Sequence, residues 1–173
     1  MKNLMLDIET AGKKPGCPIL SIAVVPFEKP ADYLYIKCHY ESQLNSGFIQ
    51  DQETMAWWAG QPETAYNEAF SGQSPLKDTL YNLSAYLAVQ GEAQLWSCGT
   101  DFDFPVLVHA FNHYNIPVPW AYNAINDYRT LKKLFSYVKV GENLNKHNAL
   151  ADATYQAEHC QAILNWVERC RKA

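Results

Sequence analysis

The stretch Leu4-Met5-Leu6-Asp7-Ile8-Glu9-Thr10 constrains this chain more than any other. An apolar run carries two carboxylates at i and i+2, so on a β-strand both leave from the same face. Like charges side by side destabilise a strand unless something positive lies between them. A divalent cation, which takes oxygen ligands, meets that need. The plainer reading is a strand end turning into a loop, because such tripeptides are common. Further carboxylates and a histidine at suitable downstream places separate the two readings, and the chain has them.

The elements can be followed in order. Gly12, Pro15, Gly16 and Pro18 mark a loop after the first strand. Ile19 to Phe27 and Asp32 to Tyr40 read as two more strands, joined by a hairpin turn at Glu28–Ala31, which predicts an antiparallel meander. Asp51 to Trp58 and Glu63 to Phe70 read as helices, the second entered through Pro62. Leu76, Leu80, Leu83 and Leu87 predict an amphipathic helix. Ala93 to Cys98 is a buried strand, and Phe104, Leu107, Val108 and Phe111 form the next helical face. A short strand near Ala124 to Asn126 and a short helix at Leu131–Tyr137 follow. Leu150, Ala153, Ala157, Cys160, Leu164 and Val167 then place about twenty residues on a final helix with one face inward. The expectation is one α/β domain over residues 1–173, a mixed sheet flanked by helices.

Composition narrows the function classes. A net charge of −4 argues against a protein that coats nucleic acid nonspecifically, and leaves room for an enzyme that grips a few phosphates locally. Aromatic residues at 13% serve either a large-residue core or stacking on bases. The five cysteines are odd in number and without a CxxC pair, as expected of reduced thiols in a cytoplasmic protein. No apolar run approaches membrane-spanning length, so no membrane partner is expected.

Three residues join Asp7 and Glu9. Asp103 follows the strand that ends near Gly99, at the start of the next helix, where a lone acid would ordinarily serve the helix dipole. Asp152 sits within the apolar stripe of the final helix, where an unpaired carboxylate is costly. His147 lies five residues earlier, about 140° away on an ideal helix, so it is expected on a loop before the helix. His109 and His113 are spaced i, i+4 but lack the acid of an HExxH motif, and are expected on a solvent-exposed face.

Together these residues resemble the DEDDh exonuclease superfamily, which includes RNase T, oligoribonuclease and the proofreading subunits of replicative polymerases. Its motifs correspond to Asp7-Ile8-Glu9-Thr10, Phe102-Asp103 and His147 through Asp152, spread over most of the chain. A narrower likeness is to the small actinobacterial and phage exoribonuclease-like proteins. It rests on Thr54-Met55-Ala56-Trp57-Trp58, Trp96 to Asp103 and Arg129-Thr130-Leu131, with Ser97 or Cys98 standing where many members have Asn. Asp101 rivals Asp103 for the second motif, and the aromatic-Asp pattern favours Asp103.

The resemblance implies a ribonuclease H-like five-stranded sheet of order 3-2-1-4-5, first three strands antiparallel, with helices on both faces. It implies 3′→5′ hydrolysis of single-stranded RNA or DNA from a free 3′ end, RNA favoured, giving nucleoside 5′-monophosphates. Asp7, Glu9, Asp103 and Asp152 are hard oxygen donors suited to two Mg²⁺ or Mn²⁺ ions. His147 would be the general base, with Asp7 bridging both ions and Asp152 anchoring one. Ile8, Glu9 and Thr10 would border the terminal nucleotide. Trp57 or Trp58 could stack on a base, with at most one of the two facing the core, and Arg129 is a candidate for a phosphate contact. Relatives are often homodimers, which would let Arg129, Lys132 or Lys133 serve a second subunit's site.

Overall fold

The structure is a computed structural model and describes residues 2–172. Its centre is a five-stranded sheet with spatial order β3-β2-β1-β4-β5. The strands are β1 (Lys2–Thr10), β2 (Ile19–Pro26), β3 (Leu34–Lys37), β4 (Ala93–Ser97) and β5 (Ile125–Asp127). β1 pairs antiparallel with β2 and β2 with β3, whereas β4 runs parallel to both β1 and β5. This is the mixed five-stranded sheet, in the order and sense that the resemblance implies. Among the described residues no helix is long and apolar enough to cross a membrane.

Alternation along β1 assigns its side chains to two faces. Leu4, Leu6 and Ile8 join Ile22, Val24 and Leu95 in one core, closed by α4 (Leu76–Gln90) and α5 (Asp103–His113). Met5 lies on the other face with Ala23 and Val25, under Ala149, Ala153, Ala157 and Cys160 of α7 (Ala149–Lys172). Asp7 and Glu9 continue the Met5 register and so turn toward α7. A smaller core of Ala11, Leu20, Trp58 and Ala69 anchors α2 (Gln52–Ala59) and α3 (Glu63–Phe70) beside the strand end.

Several element boundaries differ from expectation for local reasons. The third strand keeps only Leu34–Lys37 of the expected 32–40, because Pro30–Asp32 forms a 3₁₀ turn and Tyr40–Asn45 forms a helix, α1. The α1 helix is capped by His39, whose Nδ1 accepts from Ser42 N at 3.3 Å. The helix expected at 131–137 begins earlier, as α6 (Tyr128–Leu134), because Asp127 caps it by accepting from Thr130 N at 2.9 Å. The last helix runs 24 residues, and Leu164 and Val167 are only half-buried in it.

Candidate active site

Four acids meet at the carboxyl end of β1. Carboxylate oxygens of Asp7, Glu9 and Asp152 all lie within 4.8 Å of one another. Asp103 stands beside this group rather than within it. It is 4% exposed, and its Oδ1 accepts from Ile8 N at 3.3 Å across the top of β1. Asp101 points to solvent and pairs with Arg129 at 3.7 Å, so of the two rivals Asp103 is the one placed beside Asp7.

The electrostatics of this cluster are those of crowded negative charge, offset only in part by Arg129 near Asp103 and His147 near Asp152. Burial, then Asp103, Glu9 and Asp152, push the Asp7 carboxyl well above the usual range, against a hydrogen bond from Gln156. Burial and the neighbouring charges of Asp152 and Asp103 raise Glu9 to about 8. Asp103 rises to about 7, again chiefly through burial. Among the described residues no Lys or Arg forms an ion pair with Asp7, Glu9, Asp103 or Asp152. Buried charges are tolerated when paired or when they coordinate a cation, and an all-oxygen set fits a hard divalent ion. The donor set therefore fits the ions the sequence suggests, and fits thiol-preferring zinc poorly.

His147 lies on the loop before α7, as its spacing predicts, with a left-handed backbone (φ +64°). Its N–H donates to Asp152 Oδ2 at 2.9 Å, and Asn143 Nδ2 donates to Asp152 Oδ1 at 2.6 Å. Both oxygens of Asp152 thus tether the histidine loop. The imidazole meets Trp57 edge-on, with ring centroids 4.8 Å apart.

Trp57 and Trp58 divide as neighbours on a helix must. Trp58 is 1% exposed and donates Nε1–H to Thr10 O at 2.9 Å, whereas Trp57 is exposed. A cavity of about 290 Å³ opens beside Glu9, lined by Thr10, Trp57, Trp58 and Phe102 among others. The Ile8 side chain is buried in the core, so only its backbone faces the acids. Arg129 is engaged within the fold, donating to Cys98 O at 2.8 Å as well as pairing with Asp101. His109 and His113 are exposed and stacked beside Phe48, away from the acids.

Three supporting residues escape a motif reading. Gln156 donates Nε2–H to Asp7 Oδ1 at 2.8 Å. It lies one turn after Asp152 on the same helix face, and that i+4 spacing is the one sequence signal it offers. Asn143 holds Asp152 from the loop. Asp127 accepts from Gly99 N at 3.1 Å and Thr100 N at 3.3 Å, fixing the turn that leads into α5 and Asp103. Against the cost of burial, these bonds and those from Thr130 hold the Asp127 carboxyl below its usual range. Gly99 sits at φ +106°, a backbone conformation that L side chains rarely adopt, and a Cβ there would also displace the Arg129 guanidinium.

Gln156→Leu removes the donor that fixes the Asp7 rotamer while keeping the volume roughly constant. The expected result is a 10–100-fold loss of divalent-ion affinity, the usual effect of deleting a partner behind a ligand. Calorimetric titration of Mn²⁺ into the folded protein checks it, and an unchanged affinity would remove Gln156 from the site.

The fold of five strands in this order, with acids on the central strand and on two flanking helices, is shared by several solved nucleases. The nuclease domain of 3′hExo, described as a DEDDh family member bound to rAMP, shares the fold at TM-score 0.60 and 12% identity over 98% of this chain and 93% of that one. Escherichia coli exonuclease I in complex with a dT13 oligonucleotide shares it at TM-score 0.67 and 12% identity over 97% of this chain. The cell-death related nuclease CRN-4 does so at TM-score 0.60 and 12% identity, over 95% of this chain and 64% of that one. The chain spans only 41% of the length of exonuclease I. In sequence, no curated protein matches. A family model described as the 3′-5′ exoribonuclease Rv2179c-like domain matches residues 2–164, and the chain belongs to that family.

Proposed function

We propose that this chain removes nucleotides one at a time from the 3′ end of single-stranded nucleic acid, RNA in preference, releasing nucleoside 5′-monophosphates. The observation that carries the reading is the convergence of Asp7, Glu9 and Asp152 within 4.8 Å, with buried Asp103 alongside and, among the described residues, no Lys or Arg in an ion pair with them. The family's description as an exoribonuclease supports RNA.

In this reading Asp7, Glu9, Asp103 and Asp152 hold two Mg²⁺ or Mn²⁺ ions. When bound, the ions supply Lewis-acid stabilisation of the charge that develops on phosphorus oxygens during in-line displacement. The protein's own residues do the rest. The cavity beside Glu9 receives the terminal nucleotide, with Thr10 and the Ile8 backbone along its sugar and the Trp57 ring against its base. Such stacking is typically worth about 1–3 kcal/mol per base. Trp58, tied to Thr10 O, buttresses that wall from behind. His147, held next to Asp152 through its own backbone, takes the proton from the attacking water and can release it to solvent because it is exposed. In the same reading the chain pairs with a second copy, as the resemblance implies, and light scattering tests that part separately.

The test is hydrolysis of matched 5′-labelled single-stranded RNA and DNA with Mg²⁺ or Mn²⁺. The expected result is a ladder shortening from the 3′ end, faster on RNA and abolished by EDTA. Retention of strands without any shortening would replace the enzyme by a catalytically silent binding module of the same fold.

A further inference from the structure

A second cavity, of about 340 Å³, lies between α6 and α7 and is lined by Lys132, Lys133, Ser136, Lys139, Tyr155 and His159 among others. In a chain of net charge −4, three lysines around one hollow are a local reversal of sign. Among the described residues no acid lines it and none of the three lysines forms an ion pair. Unpaired ammonium groups gathered without a counter-charge favour an anion.

The hollow is built rather than incidental. His159, 5% exposed, bonds through Nδ1 to Tyr128 OH at 2.7 Å and through Nε2 to Val138 O at 2.9 Å. With both ring nitrogens engaged, it pins the backbone next to Lys139 against α7. Lys132 Nζ lies 5.4 Å over the Tyr128 ring, a cation–π contact that seats the ammonium group. Two of the three lysines are therefore placed by buried partners.

Its position gives the ligand. Tyr155 and His159 follow Asp152 by three and seven residues on α7, roughly 5–10 Å along the helix axis. Lys132 and Arg129 also stand near Cys98, whose thiol burial raises against their opposing pull, and Cys98 borders Asp7. The nucleotide-sized cavity lined by Glu9, Trp57 and Phe102 belongs to the α2 side of the acids, while this hollow belongs to the α6–α7 side. A strand with its 3′ nucleotide in the first, crossing the acids toward α6 and α7, reaches the second.

We propose that Lys132, Lys133 and Lys139 form a subsite for backbone phosphates of the single strand upstream of the bond being cut, serving the active site of their own subunit. This rests on the nuclease reading above. Lysines read phosphate as point charges, so the subsite is blind to sequence and screened by salt.

The test compares the full-length protein with Lys132→Ala/Lys133→Ala/Lys139→Ala, and with the triple Arg variant that keeps the charge. Fluorescence anisotropy follows a labelled strand with phosphorothioate linkages in Mg²⁺, and kinetics follow an ordinary strand and the p-nitrophenyl ester of thymidine 5′-monophosphate. Expected for the Ala variant is about tenfold weaker strand binding, with a salt slope lower by about 0.7 for each lysine seated on a phosphate. KM for the strand rises in step while kcat and turnover of the small ester stay unchanged, and the Arg variant restores binding. Unchanged affinity and slope in the Ala variant, with normal turnover by the parent, would overturn the subsite alone. Absence of turnover and of strand binding in the parent would overturn the nuclease reading and this inference together.

Discussion

Asp7→Asn is expected to abolish turnover and, in the absence of divalent ions, to make the protein more stable. Both effects come from the same charge. Burial, reinforced by the neighbouring charges of Asp103, Glu9 and Asp152, drives the Asp7 carboxyl far up. Amide for carboxylate at nearly equal volume removes one member of that repelling set while leaving an acceptor for Gln156. A carboxyl whose folded pKa is raised stabilises the fold fully below its unfolded value and loses that contribution as pH rises through the folded value. For Glu9 this window runs from 4.5 to about 8. The metal-free parent should accordingly lose melting temperature across that interval, and Asp7→Asn should lose less. Relief of about 1–2 kcal/mol corresponds to roughly 2–8 °C in a chain of this size, read near pH 8 in EDTA. Saturating Mn²⁺ should raise the parent's melting temperature steeply, since ion binding is linked to deprotonated ligands, and leave the variant nearly unmoved. Activity should fall by at least about 10³-fold, the equivalent of several kcal/mol of charge stabilisation. A variant less stable than the parent in EDTA would show that the acids are balanced in some other way.

His147→Asn carries the second large effect and divides the chemistry differently. The residue sits at φ +64°, where asparagine is among the few side chains tolerated, so the loop and the N–H bond to Asp152 should persist. The imidazole is lost, and kcat should fall by about 10²–10⁴-fold, the range a positioned general base supplies. The Mn²⁺-induced rise in melting temperature should match the parent's, because no carboxylate has changed. Equal kcat in variant and parent would assign proton removal to solvent rather than to this side chain.

The positions of the acids were legible because strands and helices have fixed periods. Two carboxylates two residues apart on an apolar strand must share a face, and Asp152, three residues after Ala149, lies on the side of the last helix that turns toward the sheet. The split between Trp57 and Trp58 followed from the same geometry. What stayed hidden depends on approach between distant segments. Gln156 reads as one more polar residue on a helix until Asp7, 149 positions earlier, arrives beside it. Asn143 looks like any loop asparagine until the loop folds back on Asp152. The shortened third strand and the helix after it turn on a 3₁₀ turn and a histidine cap, both of which are weak signals in a stretch of tyrosines and charges.

The bond from Gln156 to Asp7 joins the last helix to the first strand, and Asp103 meets Ile8 across 95 positions. The set of acids is therefore complete only when the last helix has reached the first strand. All five strands and Asp103 precede α7 in the chain, and the docking of α7 adds Asp152, Gln156 and the histidine loop to them. The cluster of Asp7, Glu9 and Asp152 thus exists only where α7 has closed on the sheet, which makes the last helix the element that completes the site.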